Sequence, residues 1–261
     1  MILVAQVSDT HFDLGTRNAE RAQRVMAYLA ELRRRPDVIV VTGDITDSGK
    51  PEQYAAARMS LQADIPVYAI PGNHDERTAF REVMLAAAPV DEPVNQCYRV
   101  GGLTVILLDS SVPGQSNGQL TEPTHRWLRD TLAETPDTDA VLLALHHPPV
   151  FLHSPIVDPI ALAEPERLAE VVTGDPRIVG VLTGHAHTAG ATTFAGRPLL
   201  LGPSTASVLG GEWELEPPER VMDYAPDPAV ALHVIDDDHR LTTHFRSVPM
   251  GGWIATPYEA G

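Results

Sequence analysis

The sequence predicts an α/β protein in which two β-sheets pack face to face with helices outside. Three observations carry this reading. Short apolar runs alternate with segments of helical spacing over residues 2–88, the signature of a parallel sheet with crossover helices. Later apolar runs are interrupted by Gly101-Gly102 and Ala195-Gly196, which signal hairpins. Two further β-branched runs close the chain at 230–236 and 241–248. In order, "ILVAQVSD" (2–9) reads as a buried strand and 19–35 as a helix ending in Arg33, Arg34 and Arg35 before Pro36. "DVIVVTGD" (37–44) is a strand, 51–63 a helix opened by Pro51, 65–72 a strand and 76–88 a helix. Two strands over 97–110 precede a helix at 122–134, a strand at 140–147, a helix at 164–173 and a strand at 178–185. A hairpin over 190–202 follows.

The 261 residues read as a single domain, 1–261. Within it, 204–229 holds an acidic, proline-rich excursion, a candidate lid or homodimer contact, and 230–248 forms a closing β-hairpin. The formal charge of −16 argues against a nucleic-acid polymer or an anionic membrane as partner. An anionic substrate would need a local positive feature. The lone Cys97 fits a reducing compartment and reads as a small buried hydrophobe. No secretory signal or membrane-spanning run is legible, so the expected location is cytoplasmic.

Chemistry-bearing residues gather where strands end. The first strand ends in Asp9-Thr10-His11, the second in Gly43-Asp44 and the third in Gly72-Asn73-His74-Asp75. Later ones end in His146-His147-Pro148 and Gly184-His185-Ala186-His187. Ligands bind at the carboxyl ends of strands in open α/β sheets. Six of the eleven histidines lie in these five motifs, which points to one shared metal or acid–base site. In an extended chain, residues i and i+2 share a face. Asp9 with His11, and His185 with His187, could therefore each reach one ion. Adjacent His146 and His147 would point apart, leaving at most one as a ligand. A lone histidine or aspartate after a strand is ordinarily a satisfied polar group or a cap. The convergence of five is what argues for function.

These five motifs, in this order and spacing, resemble those of the calcineurin-like metallophosphoesterases. "LDSSVPG" (108–114), Gly118 and "LALHHPPV" (143–150) are closest to bacterial class III cyclic nucleotide phosphodiesterases and related glycerophosphodiesterases. The resemblance implies a metallophosphoesterase fold, a four-layer α-β-β-α sandwich of two packed mixed sheets. It implies two metal ions, Mn, Fe or Zn. Asp9, His11 and His187 would hold one, Asn73, His146 and His185 the other, and Asp44 both. His146 is carried over rather than His147 because it stands two residues before Pro148. His74 would be catalytic, off the metals and facing the substrate. Asp75 reads as a support that fixes the His74 ring or the loop. Asn73 is also expected to meet the substrate, and His153, otherwise a surface or satisfied residue, is the best of the remaining histidines for a substrate contact.

Mixed carboxylate, amide and imidazole donors without thiolate suit such ions. Two divalent ions would outweigh the charges of Asp9 and Asp44 and so attract a phosphate. The expected reaction is attack of a metal-bound hydroxide on a small phosphodiester, with cAMP as first substrate. Alternatives are 2′,3′-cyclic nucleotides, glycerophosphodiesters or a phosphomonoester, and a non-catalytic binding protein on the same fold. His125, His233, His239 and His244 read as surface or satisfied residues, and Asp13 as a turn cap. Trp213 and Tyr224 are candidates to stack on a base, to anchor the excursion by apolar contact or to meet a second subunit.

Overall fold

The computed structural model of the chain describes residues 1–210, 213–214 and 222–252. The first half holds β1 (Ile2–Val7), α1 (Thr16–Glu31), β2 (Val38–Thr42), α2 (Pro51–Ser60), β3 (Val67–Ile70) and α3 (Arg77–Met84). Then come β4 (Gln96–Val100), β5 (Leu103–Leu108), β6 (Gly118–Gln119), α4 (Glu122–Glu134), β7 (Ala140–Leu145), β8 (Leu162–Ala163), α5 (Pro165–Gly174) and β9 (Ile178–Thr183). The last part holds β10 (Gly190–Phe194), β11 (Arg197–Leu201), β12 (Val208–Leu209), β13 (Met222–Asp223), β14 (Ala229–Ile235) and β15 (Leu241–Ser247).

The central runs are buried along their whole length, so their sheets must be covered on both faces. The period of two shows how. On β2, Val38 and Val40 face one apolar layer, while Ile39 and Val41 face another. On β5, Leu103, Val105 and Leu107 share the first layer, and Ile106 and Leu108 face a third. The shared layer lies between two mixed sheets, of strand order β15-β14-β1-β2-β3 and β10-β11-β9-β7-β5-β4. Side chains of α1 and α2 cover the outer face of the first, and side chains of α4 and α5 that of the second. This is the four-layer sandwich expected from the sequence.

The first helix spans Thr16–Glu31 rather than 19–35, because Leu32 is already extended. Arg34 and Arg35 sit in the connection that follows and pair with Asp37 and Asp64. Cys97 is exposed rather than buried, because β4 is the outermost strand of its sheet. No helix among the described residues is long and apolar enough to cross a membrane.

The layer between the sheets turns polar towards the strand ends. Gln6 and His233 are both fully buried there. The Gln6 amide donates to the Thr183 carbonyl, so its oxygen is the atom facing His233 Nε2 at 3.0 Å. His233 is thereby fixed as the Nε2–H tautomer, with Nδ1 accepting from Thr243 Oγ1 at 2.8 Å. Burial drives its pKa down from 6.5 to about 3. The unfolded state therefore binds the extra proton first, and stability falls as pH drops below about 6.5. Urea titrations at pH 7 and pH 4 should show His233→Gln losing roughly 3 kcal/mol less than the wild type between the two.

Candidate metal centre

Parallel strands deliver their carboxyl ends to one edge, and there the polar motifs converge. One cluster joins Asp9, His11, Asp44 and His187. His11 Nε2 lies 3.1 Å from His187 Nε2 and 3.5 Å from Asp44 Oδ2. His187 Nε2 lies 3.5 Å from Asp9 Oδ1. The second cluster centres on His146 Nε2. It is 3.2 Å from Asn73 Oδ1, 3.2 Å from His185 Nδ1 and 3.3 Å from Asp44 Oδ1. Asp44 thus turns one carboxylate oxygen to each cluster.

His185 and His187 part company, one in each cluster, against the alternation argument from sequence. The reason is that this stretch is not extended. His185 and His187 adopt φ of 67° and 48°, and Asp9, His11 and Asp44 are also left-handed, at 50°, 44° and 47°. Left-handed backbone at non-glycine residues costs energy and concentrates at functional sites. Close approach is equally demanding. A Cβ on Gly72 would stand 2.2 Å from Asp44 Oδ1, so only glycine fits there.

The donor sets fit a cation. His146 Nδ1 faces the Thr42 carbonyl at 2.8 Å. A carbonyl only accepts, so Nδ1 carries the proton. In the neutral ring, the Nε2 lone pair then faces a carboxylate, an amide oxygen and another imidazole. Asp9 Oδ2 is buried without a hydrogen-bond partner, an expensive state for a charged oxygen. Burial works against the charged form of His146, but the Asp44 carboxylate overrides it and raises the ring to about 9. Burial likewise opposes the Asp44 charge, yet His146 and His11 hold its carboxyl well below the usual range. Burial and the neighbouring His146 push His185 down to about 3, leaving it a neutral donor.

A model of the calcineurin-like phosphoesterase family matches residues 2–189. The chain belongs to that family. It is 38% identical over 190 residues to a probable cyclic nucleotide phosphodiesterase of Rhodococcus erythropolis, covering 71% of this chain and 62% of that protein. It is 35% identical over 220 residues to the glycerophosphodiester phosphodiesterase GpdQ of Enterobacter lignolyticus, covering 78% of this chain and 77% of that protein. The chain thus spans less than two thirds of the length of the first relative and more of the second. A dimetal phosphatase from Danio rerio superposes with a TM-score of 0.62 at 16% identity, covering 95% of this chain and 99% of that one. At that identity the likeness speaks for the fold alone. Phosphoesterases of this family use a dinuclear divalent metal centre, and the His and Asp groups here fit one.

The other expected site residues fall as follows. His147 has a nitrogen within 4.8 Å of the second cluster, but both its nitrogens are engaged, with Ser110 Oγ at 2.8 Å and the Ser116 carbonyl at 3.2 Å. His74 is exposed and stacks edge-on against His11 at 4.7 Å. Its Nδ1 donates to the Asp47 carbonyl at 2.8 Å, which leaves Nε2 as the nitrogen with a lone pair. His153 is exposed and stands in neither cluster. Asp13 accepts from the Gly15 N–H at 2.8 Å and caps its turn. Tyr224 lies under the Arg17 guanidinium, 5.1 Å from the ring centroid. Residues 211–212 and 215–221 of the expected excursion lie outside the described residues.

Asp75 proves to hold the loops and not the His74 ring. Oδ2 accepts from the N–H groups of Ile45 and Gly72, and Oδ1 from the Thr46 N–H, the Thr46 hydroxyl and the Tyr54 hydroxyl. The carboxylate ties the loop bearing Asp44 to the loop bearing Asn73. Tyr54, Asp47 and Ser207, whose Oγ meets His187 Nδ1 at 2.9 Å, were not foreseen. Ser207 belongs to a stretch bound directly to the site. The Thr205 N–H donates to the Ser8 carbonyl and the Ser204 hydroxyl to the Asp9 carbonyl. From the other side, α1 supplies a row of arginines. Arg17 donates to the carbonyls of Ala206 and Tyr224, Arg21 to those of Thr205 and Pro226, and Arg24 to that of Pro249.

Two measurements follow from this geometry. Asp75→Asn turns an amide N–H towards a ring of donors. It should cost about 2–3 kcal/mol of stability by urea unfolding of the metal-free protein. With His146 raised to about 9, metal loading at pH 7.5 should release a proton, because metal and proton compete for Nε2. Calorimetry in buffers of different ionisation enthalpy should count about one proton from this ring, and correspondingly fewer protons in His146→Ala.

Proposed function

We propose that the protein is a metal-dependent phosphodiesterase acting on small phosphodiesters, first a 3′,5′-cyclic nucleotide such as cAMP. Glycerophosphodiesters or 2′,3′-cyclic nucleotides are the second reading, favoured by the GpdQ relative. The observation that supports it most is the pair of donor clusters sharing Asp44. Asp9, His11 and His187 would hold one ion, Asn73, His146 and His185 the other, and Asp44 both. The oxygen and imidazole donors suit Mn, Fe or Zn. Two bound ions would supply the positive charge that a chain of net charge −16 otherwise lacks, and an activated nucleophile.

The chain's own residues do the rest. His74, exposed beside His11, reaches a substrate and not an ion. With Nδ1–H held by the Asp47 carbonyl, Nε2 is the atom that faces the substrate, and the doubly protonated ring is the form that gives the Nε2 proton to the leaving oxygen or stabilises charge there. Asp47 orients that ring, and Asp75 fixes the loop that carries it. Asn73, at the mouth of the second cluster, is placed to meet both ion and substrate. The net charge of −16 favours a small substrate over a nucleic-acid polymer. The lone cysteine fits a cytoplasmic setting.

Hydrolysis of bis(p-nitrophenyl) phosphate with Mn²⁺, abolished by EDTA, tests the reading, and its absence with Mn²⁺ supplied would reject it. His74→Ala should keep both metals by elemental analysis and slow turnover about 10²–10⁴-fold. Loss of a metal in that variant would show that the role given to His74 is wrong. Asn73→Ala should instead lose one metal.

A further inference from the structure

A cleft of about 430 Å³ has Ala186 in its wall. Ala186 stands between His185 and His187 in the chain, so the cleft begins one residue from each cluster. Its volume is that of a small-molecule site. The base is apolar, built from Val157, Leu201 and Leu209, which pack into one cluster with Ala186. Two large rings line it as well, Phe151 at 77% exposure and Trp213 at 78%. They come from different segments. Phe151 follows the loop of His146 and His147. Trp213 follows the stretch in which Ser207 meets His187. Both segments are anchored to the centre, yet their rings are left in water, where apolar surface is costly. Such exposure beside a site marks a surface that binds something.

The occupant is set by the neighbouring centre. A phosphodiester whose phosphorus sits at the two clusters would carry an ester arm away from them, and Ala186 links the clusters to this cleft along the chain. A flat ring gains from two exposed aromatic faces, whereas a glycerol arm has little apolar surface to offer. The hydroxyls of Ser154, Thr188 and Thr192 line the same cleft and can meet ring heteroatoms. We propose that this cleft receives the ring-bearing arm of the substrate, with Phe151 and Trp213 as its stacking surfaces, and so favours nucleoside over glycerol phosphodiesters. The proposal rests on the phosphodiesterase reading of the adjoining centre.

The test uses the full-length, Mn²⁺-loaded protein as wild type, Phe151→Ala, Trp213→Ala and the double variant. Both side chains are exposed, so melting temperatures should not move. Binding of AMP and of glycerol 3-phosphate is measured by calorimetry, beside hydrolysis of 3′,5′-cAMP and glycerophosphocholine. Each single variant should weaken AMP about fivefold or more and raise the KM for cAMP in step, with kcat kept. Glycerol 3-phosphate binding should stay within about twofold. Unchanged AMP affinity in the double variant, or an equal loss for both ligands, would overturn the cleft assignment. Failure of the wild type to hydrolyse either diester overturns the phosphodiesterase reading instead. The AMP to glycerol 3-phosphate comparison still decides the cleft.

Discussion

Everything in this molecule answers to one crowding problem. Around Asp44, carboxylate, amide and imidazole acceptors each lie within 3.5 Å of at least one other. Lone pairs facing lone pairs repel, and burial amplifies the repulsion. Without a cation, a proton on His146 is the relief available, which is why the Asp44 carboxylate draws that ring up to about 9. A fold that keeps such groups together has to spend stability from elsewhere, and the sandwich has it to spend. Three apolar layers surround the two sheets.

The strain is placed where the sheets can hold it. Five of the clustered residues are left-handed, at a cost of order 1–3 kcal/mol each. Each follows the last residue of a strand, and the strands themselves are regular and buried. The loops are then locked to each other. Asp75 joins the second and third strand ends through five hydrogen bonds. Asp109 accepts from Arg77 Nε at 2.8 Å, and Arg77 also donates to the Ser111 carbonyl at 2.7 Å. That buried pair binds the start of α3, just past Asp75, to the loop after β5. The geometry of the clustered residues depends on these cross-links as much as on the residues themselves.

What the sequence shows and what it hides divide along physical lines. The strands were legible because sheets buried on both faces demand unbroken apolar runs, as in β2, β5 and β7. The clustered residues were legible because side chains of this chemistry are conspicuous at strand ends. The partition of His185 and His187 was not legible from spacing, since it depends on a backbone turn that spacing cannot express. Only the family resemblance anticipated it. The contacts of Thr42 and Asp47 were invisible for a different reason. They act through main-chain carbonyls, which every residue has. Asp75 was read as a support for the His74 ring or for the loop, and of the two it holds the loop, through partners that lie across the fold at Ile45, Thr46 and Tyr54. Cys97 was taken as buried from residue type alone, while its exposure follows from being on an edge strand.

The arginine row on α1 has a bearing on how such a protein changes over generations. Arg17 and Arg21 fasten both roots of the segment that leaves at β12 and returns at β13, and those strands zip the roots together again. Whatever chain runs between Leu209 and Met222 hangs from a fixed socket. Its length and composition can be rewritten without disturbing Ser207 or the ring it meets. A segment transplanted between these two strands would meet the same anchored ends and leave the contact of Ser207 with His187 in place.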